Sequence, residues 1–312
     1  MPTQLQTRSS SATAALGYGA CALAGTLWGT GFYFGKIALS AMSVGHMVFY
    51  RFFFASLGLL PPILIGRRRP GLNRKEWGLL LLASFLGIPV QFLLQFYGLS
   101  LTTVSHAALM VGTMPVILAI GATIFTHERL DWKGWLALAG STAGVALITL
   151  TSTPGHSANG PTIAGDMLVV LSLAIALGWV LLNRHLMHGH SALVVTAYGT
   201  LSGFAMLTAW IAFADGPPPV HGISGQVWFA LIASGVLCTA ATTFLWNWGI
   251  HRVPASRAGV FLNIEPALGS ILGVELLGDR LGPGAWVGGA LIIAAAVVLT
   301  TTGQAEVDVV ME

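Results

Sequence analysis

Glu265 has the most consequential chemistry in this sequence, because it stands in the middle of an apolar segment long enough to cross a bilayer. An ionised carboxylate near the bilayer centre costs at least ~2.5–3.5 kcal/mol, so it needs a proton, a cation or a polar pocket. Arg51 is the only base well inside another apolar segment. Three roles for Glu265 stay open: coupling to a substrate or proton, a static ion pair with Arg51, and capping of the backbone that Pro266 frees.

Pro115 and Pro266 each stand near the middle of an apolar segment, where proline removes a backbone hydrogen bond and tends to kink a helix. Paired interruptions of this kind predict a transport site and a place where helices can bend during gating. Small or polar residues precede each proline at spacings of three and four, which keeps them on one helical face. These faces are expected to line a cavity, and close helix packing is the alternative. They comprise Ser105, Ala108 and Gly112 before Pro115, and Ser256, Gly259 and Asn263 before Pro266.

Amide and aromatic side chains at helical spacing mark further candidates for a substrate cavity. Gln91 and Gln95 lie one helical turn apart and should avoid lipid, so they face either a cavity or a neighbouring helix. The aromatic candidates could instead belong to the core or to an interfacial belt. His106 is more simply a satisfied histidine than a metal ligand, and no metal site is expected. The cavity candidates are Trp28, Phe32, Tyr50, Gln91, Gln95, His106, Trp179, Asn183, Thr242, Trp246 and Asn263.

The composition requires a membrane protein to hold these groups. Hydrophobic residues make up 55% of the 312 residues and charged residues only 8%, whereas an average globular chain has roughly 25% charged residues. Ten apolar segments about 20 residues long are predicted to cross the bilayer as helices. A membrane barrel is excluded because the segments lack alternation of polar and apolar residues. The segments are 15–38, 44–65, 77–97, 103–125, 132–151, 164–186, 192–214, 225–248, 254–277 and 283–303.

The distribution of bases predicts the orientation of these spans. With the N-terminus in the cytoplasm, eleven of the 14 bases fall on the inner side and only Arg280 lies outside. Such an imbalance is typical of the positive-inside rule. It predicts a multi-pass protein of the plasma (bacterial inner) membrane with both termini cytoplasmic. The basic clusters therefore act as topology signals, and no nucleic-acid partner is expected.

The sequence repeats itself at a constant offset of 151 residues. Residues 98–150 align without a gap to 249–301, with matches that include Pro115 to Pro266 and Trp135 to Trp286. Each repeat contains five spans, and because five is odd, the second copy enters the membrane from the opposite side. The predicted organisation is an N-terminal tail (1–14), a first five-helix repeat (15–151), an outer linker (152–163), a second repeat (164–303) and a C-terminal tail (304–312).

Several short motifs resemble the EamA domains of the drug/metabolite transporter superfamily. They are Tyr50-Arg51-Phe52, Pro115 followed by His127-Glu128-Arg129-Leu130, and Glu265-Pro266 followed by Gly278-Asp279-Arg280-Leu281. The resemblance covers about 290 residues and both repeats. It implies ten helices in two inverted halves and movement of small organic metabolites, often outward. Asp279 departs from the family pattern, which has Glu before the arginine, but it keeps the charge.

The fifth and tenth spans differ from the others because they carry small-residue faces and few polar groups. Gly140 and Gly144 in the fifth, and Gly284 and Gly288 in the tenth, form GxxxG patterns typical of close helix contact. These faces could pack within the bundle or form a homodimer through helices 5 and 10. Lys36, one turn from the predicted outer interface, is expected to extend its amine to that interface.

The inverted repeat predicts a secondary transporter that moves a small amphiphilic metabolite by alternating access. Amide, hydroxyl and aromatic groups suit an amino acid or a related compound, and the resemblance implies export, with protons as a hypothetical coupling ion. A passive permeation channel is the alternative. An enzyme is not expected, because the spans lack a convergent nucleophile–base set. No cofactor is expected, and the predicted partners are the lipid bilayer and the small-molecule substrate.

Overall fold

The computed structural model describes residues 3–66, 71–125, 132–151, 160–250 and 259–302. All regular elements within these ranges are helical, which confirms the all-α class. Some predictions fall outside the described residues. They concern the Arg67–Arg69 cluster, the His127–Leu130 motif, most of the linker, the bases Arg252 and Arg257, Ser256 and the C-terminal tail.

The first half contains five helical segments that follow the predicted spans. They are α1 (Thr3–Leu39), α2 (Val44–Gly66), α3 (Arg74–Leu101), a divided α4 (Val104–Val111 and Met114–Phe125) and α5 (Trp132–Thr151). The division of α4 at Gly112 and Thr113 comes directly before Pro115, where proline cannot continue the backbone hydrogen bonding of the preceding turn.

The second half repeats this order. Its helices are α6 (Ile163–Met187), α7 (Ala192–Ala214), α8 (Gly225–Ile232, Ala233–Ala241 and Thr242–Ile250), α9 (Ile264–Leu277) and α10 (Pro283–Thr302). A 3₁₀ turn, Gly259–Asn263, leads into α9. Within the described ranges, five helices are continuous, long and apolar enough to cross a membrane: α2, α3, α6, α7 and α8.

Local sequence determines where several helices begin and end. Asn73 and Glu76 form a capping box at the start of α3, which satisfies backbone N–H groups that have no partner inside the helix. The hydroxyls of Thr103, Thr162 and Ser191 cap their helices through the backbone N–H three residues later. The end of α9 needs Gly278, because φ is +70° there.

Two helices contain π-helical segments at repeat-related positions. In α3 the segment is Leu86–Val90, which includes Pro89, and in α8 it is Ala233–Ala241. The offset of 151 residues maps Leu86–Val90 onto the second half of the α8 segment. π-Helical turns are rare and occur frequently at functional sites. The duplicated chain therefore keeps the same distortion in both copies.

The two halves are interlocked rather than side by side. Helix α1 packs on α8 and α9, and its counterpart α6 packs on α3 and α4. Helix α2 lies against the π segment of α8, while α7 lies against the π segment of α3. Each contact thus has a partner related by the repeat, as an inverted duplication requires.

Helices α5 and α10 pack against each other within one chain. A Cβ added at Gly144 would lie 2.6 Å from the Gly288 carbonyl oxygen, and one at Gly288 would lie 2.5 Å from the Gly144 carbonyl oxygen. These two glycines permit a close backbone approach, so intramolecular packing occupies this part of the predicted dimer face. A Cβ added at Gly140 would have nothing within 4 Å, so this position lies on an open face of α5.

Contacts at the helix ends agree with the predicted sides of the membrane. At the predicted outer end, Ser43 donates a hydrogen bond to Asp215, and Thr162 donates one to the Leu101 carbonyl. At the predicted inner end, His190 Nε2 lies 3.2 Å from Glu76 Oε2. Each contact joins segments that the alternating topology assigns to one side.

Candidate functional site

Arg51 lies inside the bundle and is held by the π segment of α8. Its Nε donates to Thr239 Oγ1 at 2.9 Å, Nη1 to Ser234 Oγ at 3.0 Å, and Nη2 to the Cys238 carbonyl at 3.2 Å. Phe92 and Phe96 of α3 each place a ring centroid 5.2 Å from its guanidinium carbon. The cation therefore binds neutral acceptors and aromatic faces.

Glu265 lies in the first turn of α9 and is half-buried. Among the described residues, its carboxylate has no hydrogen-bond donor and no ion-pair partner within 4.0 Å. Arg51 interacts with it electrostatically without forming a direct ion pair. The static pair and the backbone cap, two alternatives that the sequence leaves open, are both absent from this arrangement of described groups.

Helix α1 approaches both the Arg51 guanidinium and the Glu265 backbone. A Cβ at Gly31 would lie 3.7 Å from Arg51 Nη1 and Nη2, while one at Gly29 would lie 3.1 Å from the Glu265 carbonyl oxygen. At 3.6 residues per turn, Trp28 lies between these two directions around the helix axis. Trp28 therefore lies on α1 directly beside the glycine that approaches the Glu265 backbone.

The tryptophan candidates contact the opposite repeat, whereas Phe32 contacts its own. The rings of Trp28 and Trp246 are 5.5 Å apart, and both side chains are half-buried. Phe32 is buried against Phe96, with centroids 6.1 Å apart. In the other half, Trp179 covers Gly87 of the α3 π segment so closely that a Cβ there would clash with the indole. The first helix of each repeat thus places a tryptophan against the π-containing helix of the other repeat.

The polar candidates differ in their surroundings. Gln91 and Gln95 are both buried in α3, and Gln91 Oε1 has no hydrogen-bond partner among the described residues. Thr242 donates to the Thr239 carbonyl and so supports the α8 backbone. Asn263 is buried two residues before Glu265, and Asn183 is half-buried on α6.

Tyr50 and His106 are engaged at the predicted outer end. Tyr50 is buried and donates to the Pro219 carbonyl at 2.7 Å, which ties α2 to the segment between α7 and α8. His106 Nδ1 lies 3.0 Å from Asp166 Oδ2. Both side chains therefore bind loop or helix-end groups away from Glu265.

Lys36 binds the carbonyl end of α3. Its amine donates to the Leu99 carbonyl at 2.9 Å and to the Thr102 carbonyl at 2.7 Å. The Leu99 carbonyl also accepts from the Thr102 backbone N–H at 3.4 Å. The amine therefore lies at the predicted outer end of α3, and its extension to the membrane interface stays a prediction.

The face of α4 that leads to Pro115 packs against α9. A Cβ at Gly269 would lie 2.6 Å from the Ala108 Cβ, and one at Gly112 would lie 3.3 Å from the Pro266 Cβ. Ser105 donates to the Ser270 carbonyl at 3.1 Å. Close packing is therefore the observed role of this stripe, with buried Pro266 inside the contact.

Sequence reasoning misses the residues that bind two buried side chains, Arg51 and His106. Ser234 and Thr239 hold Arg51, and Asp166 holds His106. The hydroxyls give no signal because single Ser and Thr residues are common in membrane helices. Asp166 has a readable signal, since it is an acid at the start of an apolar segment. In the described part of the chain, no group of three or more His, Cys, Asp and Glu residues is placed to hold a metal ion.

Comparison with known proteins places this arrangement in context. The sequence matches the EamA-like transporter family twice, over residues 15–150 and 163–301. It is 23% identical over 261 residues to "Uncharacterized transporter YetK" of Bacillus subtilis, a match that covers 83% of this chain and 79% of that protein. It is 24% identical over 277 residues to "Probable terminal-alkyne amino-acid exporter" of Streptantibioticus cattleyicolor, with 87% and 89% covered.

A solved crystal structure has the same fold. It superposes with a TM-score of 0.63 at 18% sequence identity, covering 94% of this chain and 97% of that chain. At this identity the likeness concerns the fold alone. The two family matches span most of the chain and both halves of the helix bundle. The chain is therefore a multi-pass membrane protein that belongs to the EamA-like transporter family.

Proposed function

We propose that this protein is a secondary transporter that exports small amphiphilic metabolites, amino acids or related compounds, by alternating access. The observation that carries the proposal is the state of Glu265. Its carboxylate is half-buried inside the bundle without a direct partner among the described residues, while Arg51 is held by three other acceptors. A charge kept inside an apolar bundle at this cost is expected to bind something that comes and goes.

The polar and aromatic candidates inside the bundle suit an amphiphile. Trp28 and Trp246 offer aromatic surface, and Gln91 and Gln95 offer neutral hydrogen-bonding groups on α3. Mainly apolar sites with a few polar groups are typical of small-molecule binding. The similarity to a probable exporter of an unusual amino acid supports amino acids as the first class to test and export as the direction.

The interlocked repeats support alternating access. Each half contributes one π-containing helix that lies against the other half. A small change of backbone conformation at both π segments could therefore tilt the two halves in opposite directions. We further propose that the protein resides in the plasma membrane with both termini in the cytoplasm, and that a proton can exchange with substrate at Glu265. We also propose a homodimer through α5 and α10, in which the open face of α5 around Gly140 contacts the second copy.

Reconstitution into liposomes tests the transport proposal. A carrier should show saturable uptake and accelerated exchange when the liposomes are preloaded with unlabelled substrate from an amino-acid panel. Unsaturable flux without exchange would instead indicate the passive channel.

The same preparation tests the role of Glu265. Glu265→Gln should abolish dependence on a pH gradient, whereas Glu275→Gln, at an exposed acid on the same helix, should behave as wild type. Unchanged pH dependence in Glu265→Gln would exclude proton coupling at this residue.

A further inference from the structure

We propose that the first segment of α4, Val104–Val111, is the gate that closes the predicted outer side of the transporter, and that Asp166 and Asp279 hold it shut. The inference rests on the proposed transport function and orientation, and it names the moving element and the residues that control it. Both acids belong to the second repeat, whereas the segment belongs to the first. The gate therefore closes between the two halves.

This segment is a separate piece of helix. It ends before Gly112 and Thr113, and α-helix resumes at Met114. Pro115 has no backbone N–H to donate to the Val111 carbonyl, so the hydrogen bond that would join the two pieces there cannot form. At a hinge, a few residues between elements absorb the backbone rotation of the part that moves. The first segment can therefore change its angle without the rest of α4.

The segment packs on the second repeat. All eight of its residues are buried, and it lies mainly against α9 and α6. A Cβ added at Gly269 of α9 would lie 2.6 Å from the Ala108 Cβ, and one at Gly289 of α10 would lie 2.8 Å from Leu109 Cδ2. The segment therefore fills the space where the first repeat meets these helices.

Asp279 binds the N-terminal end of the segment. Its Oδ2 accepts from the Ser105 backbone N–H and from the Ser105 hydroxyl, both at 2.9 Å. An anion at this position satisfies an N–H group that has no partner inside the helix, and it interacts favourably with the helix dipole. Lys36 is attracted electrostatically to Asp279 and donates to the Thr102 carbonyl just before the segment. A rotation of the segment would break the charge-assisted hydrogen bonds to Asp279.

Asp166 binds the same end from another helix. Its Oδ1 accepts from the Thr102 hydroxyl at 2.5 Å, and its Oδ2 lies 3.0 Å from His106 Nδ1. Asp166 stands at the beginning of α6, whereas Asp279 follows α9. The two acids thus reach the segment from different helices. We call this group, Asp166 and Asp279 with Thr102, Ser105 and His106, the outer latch.

The second repeat differs at the matching position. Phe261 and Leu262 belong to a 3₁₀ turn and are half-buried. Their counterparts at the offset of 151 residues, Met110 and Val111, are α-helical and buried. An inverted-repeat carrier that is open to one side holds its two halves in different conformations. This asymmetry supports a closed state of the helical, buried copy, which is the one at the predicted outer side.

A cysteine at Val104 can report opening of the gate, because valine and cysteine are close in volume and Val104 is completely buried. Labelling by a soluble maleimide is measured in nanodiscs, where the reagent reaches both faces of the bilayer, and the rate for wild type is subtracted. Adding Asp279→Asn to Val104→Cys should raise the rate at least about tenfold, or about 1.4 kcal/mol in the opening equilibrium. Asp166→Asn should do the same, and Ser105→Ala, which keeps the backbone N–H, should raise the rate less.

Two controls separate opening of the gate from general loosening of the fold. Glu275→Gln removes an exposed acid near the end of α9 and should leave the Val104→Cys rate unchanged. Val195→Cys places the same reporter at a buried position near the beginning of α7, at the predicted inner end. Its rate should stay unchanged in the Asp166→Asn and Asp279→Asn variants.

The outcomes separate the gate from the transport function. Equal rises at Val104→Cys and Val195→Cys would overturn the gate, since the latch would then only support the fold. Unchanged labelling of Val104→Cys in folded latch variants, with saturable amino-acid exchange in proteoliposomes, would overturn the gate and leave the transporter proposal standing. A selective rise at Val104→Cys without exchange of any compound would support the gate and count against transport.

Discussion

His106 Nδ1 lies 3.0 Å from Asp166 Oδ2, and both side chains are almost completely inaccessible to solvent. Thr102 donates a second hydrogen bond to the other oxygen of Asp166 at 2.5 Å. The cluster joins the α3–α4 turn of the first half to the beginning of α6 in the second half. It therefore fixes the two halves to each other at the predicted outer end, separately from the groups around Glu265.

The first prediction concerns this cluster. Asp166→Asn should lower the free energy of unfolding by about 1–3 kcal/mol, because the amide cannot accept from both His106 and Thr102 as the carboxylate does. Thermal unfolding in detergent is the measurement. Asp215→Asn is the control, since Asp215 is exposed and its described side-chain bond is a 3.3 Å contact with Ser43. Equal effects of the two substitutions would contradict the importance of the buried pair.

The second prediction concerns Arg51. Arg51→Lys keeps the charge but loses the planar group that donates in three directions. It should therefore lower the free energy of unfolding. Arg51→Ala should destabilise the protein further, by about 1–3 kcal/mol for each buried acceptor left without a donor, such as Ser234 Oγ and Thr239 Oγ1. Unfolding in detergent would measure both losses. An Arg51→Lys protein as stable as wild type would show that charge alone suffices, and Arg74→Lys, at an exposed position, provides the matched control.

The third prediction distinguishes packing within the chain from dimerisation. Gly144→Leu should destabilise the monomer by about 1–3 kcal/mol, because the side chain would meet the backbone of α10. Gly140→Leu should leave unfolding unchanged, since that position is open in one chain. Light scattering of both variants then reports on the dimer. Loss of a wild-type dimer in Gly140→Leu would support the α5–α10 seam, and a strictly monomeric wild type would exclude it.

The fourth prediction tests the orientation of the bundle. Both native cysteines, Cys21 and Cys238, are buried and should stay unlabelled by a membrane-impermeant maleimide in intact cells. Ser40→Cys should label from outside, while Gly189→Cys should label only after permeabilisation. The reverse pattern would mean that the termini face outward.

Much of the fold is legible in the sequence because its determinants are local. A bilayer demands long apolar helices, so composition alone indicates the class and the approximate spans. The match of Pro115 to Pro266 at a constant offset reveals the duplication, and the odd number of spans makes it inverted. The π segments are not predictable in the same way, since the sequence around Pro89 resembles an ordinary kinked helix.

The sequence predicts the candidate site as a set of residues, but it does not predict their relationships. It points to Arg51 and Glu265 and leaves open whether they pair. Tertiary packing decides this, because Ser234 and Thr239, more than 180 residues along the chain from Arg51, bind its guanidinium. Hydropathy and spacing describe each helix separately, whereas a hydrogen bond depends on which faces of two distant helices meet. The sequence by itself thus determined which charges enter the membrane, and only the tertiary structure decided that Glu265 is the one left available.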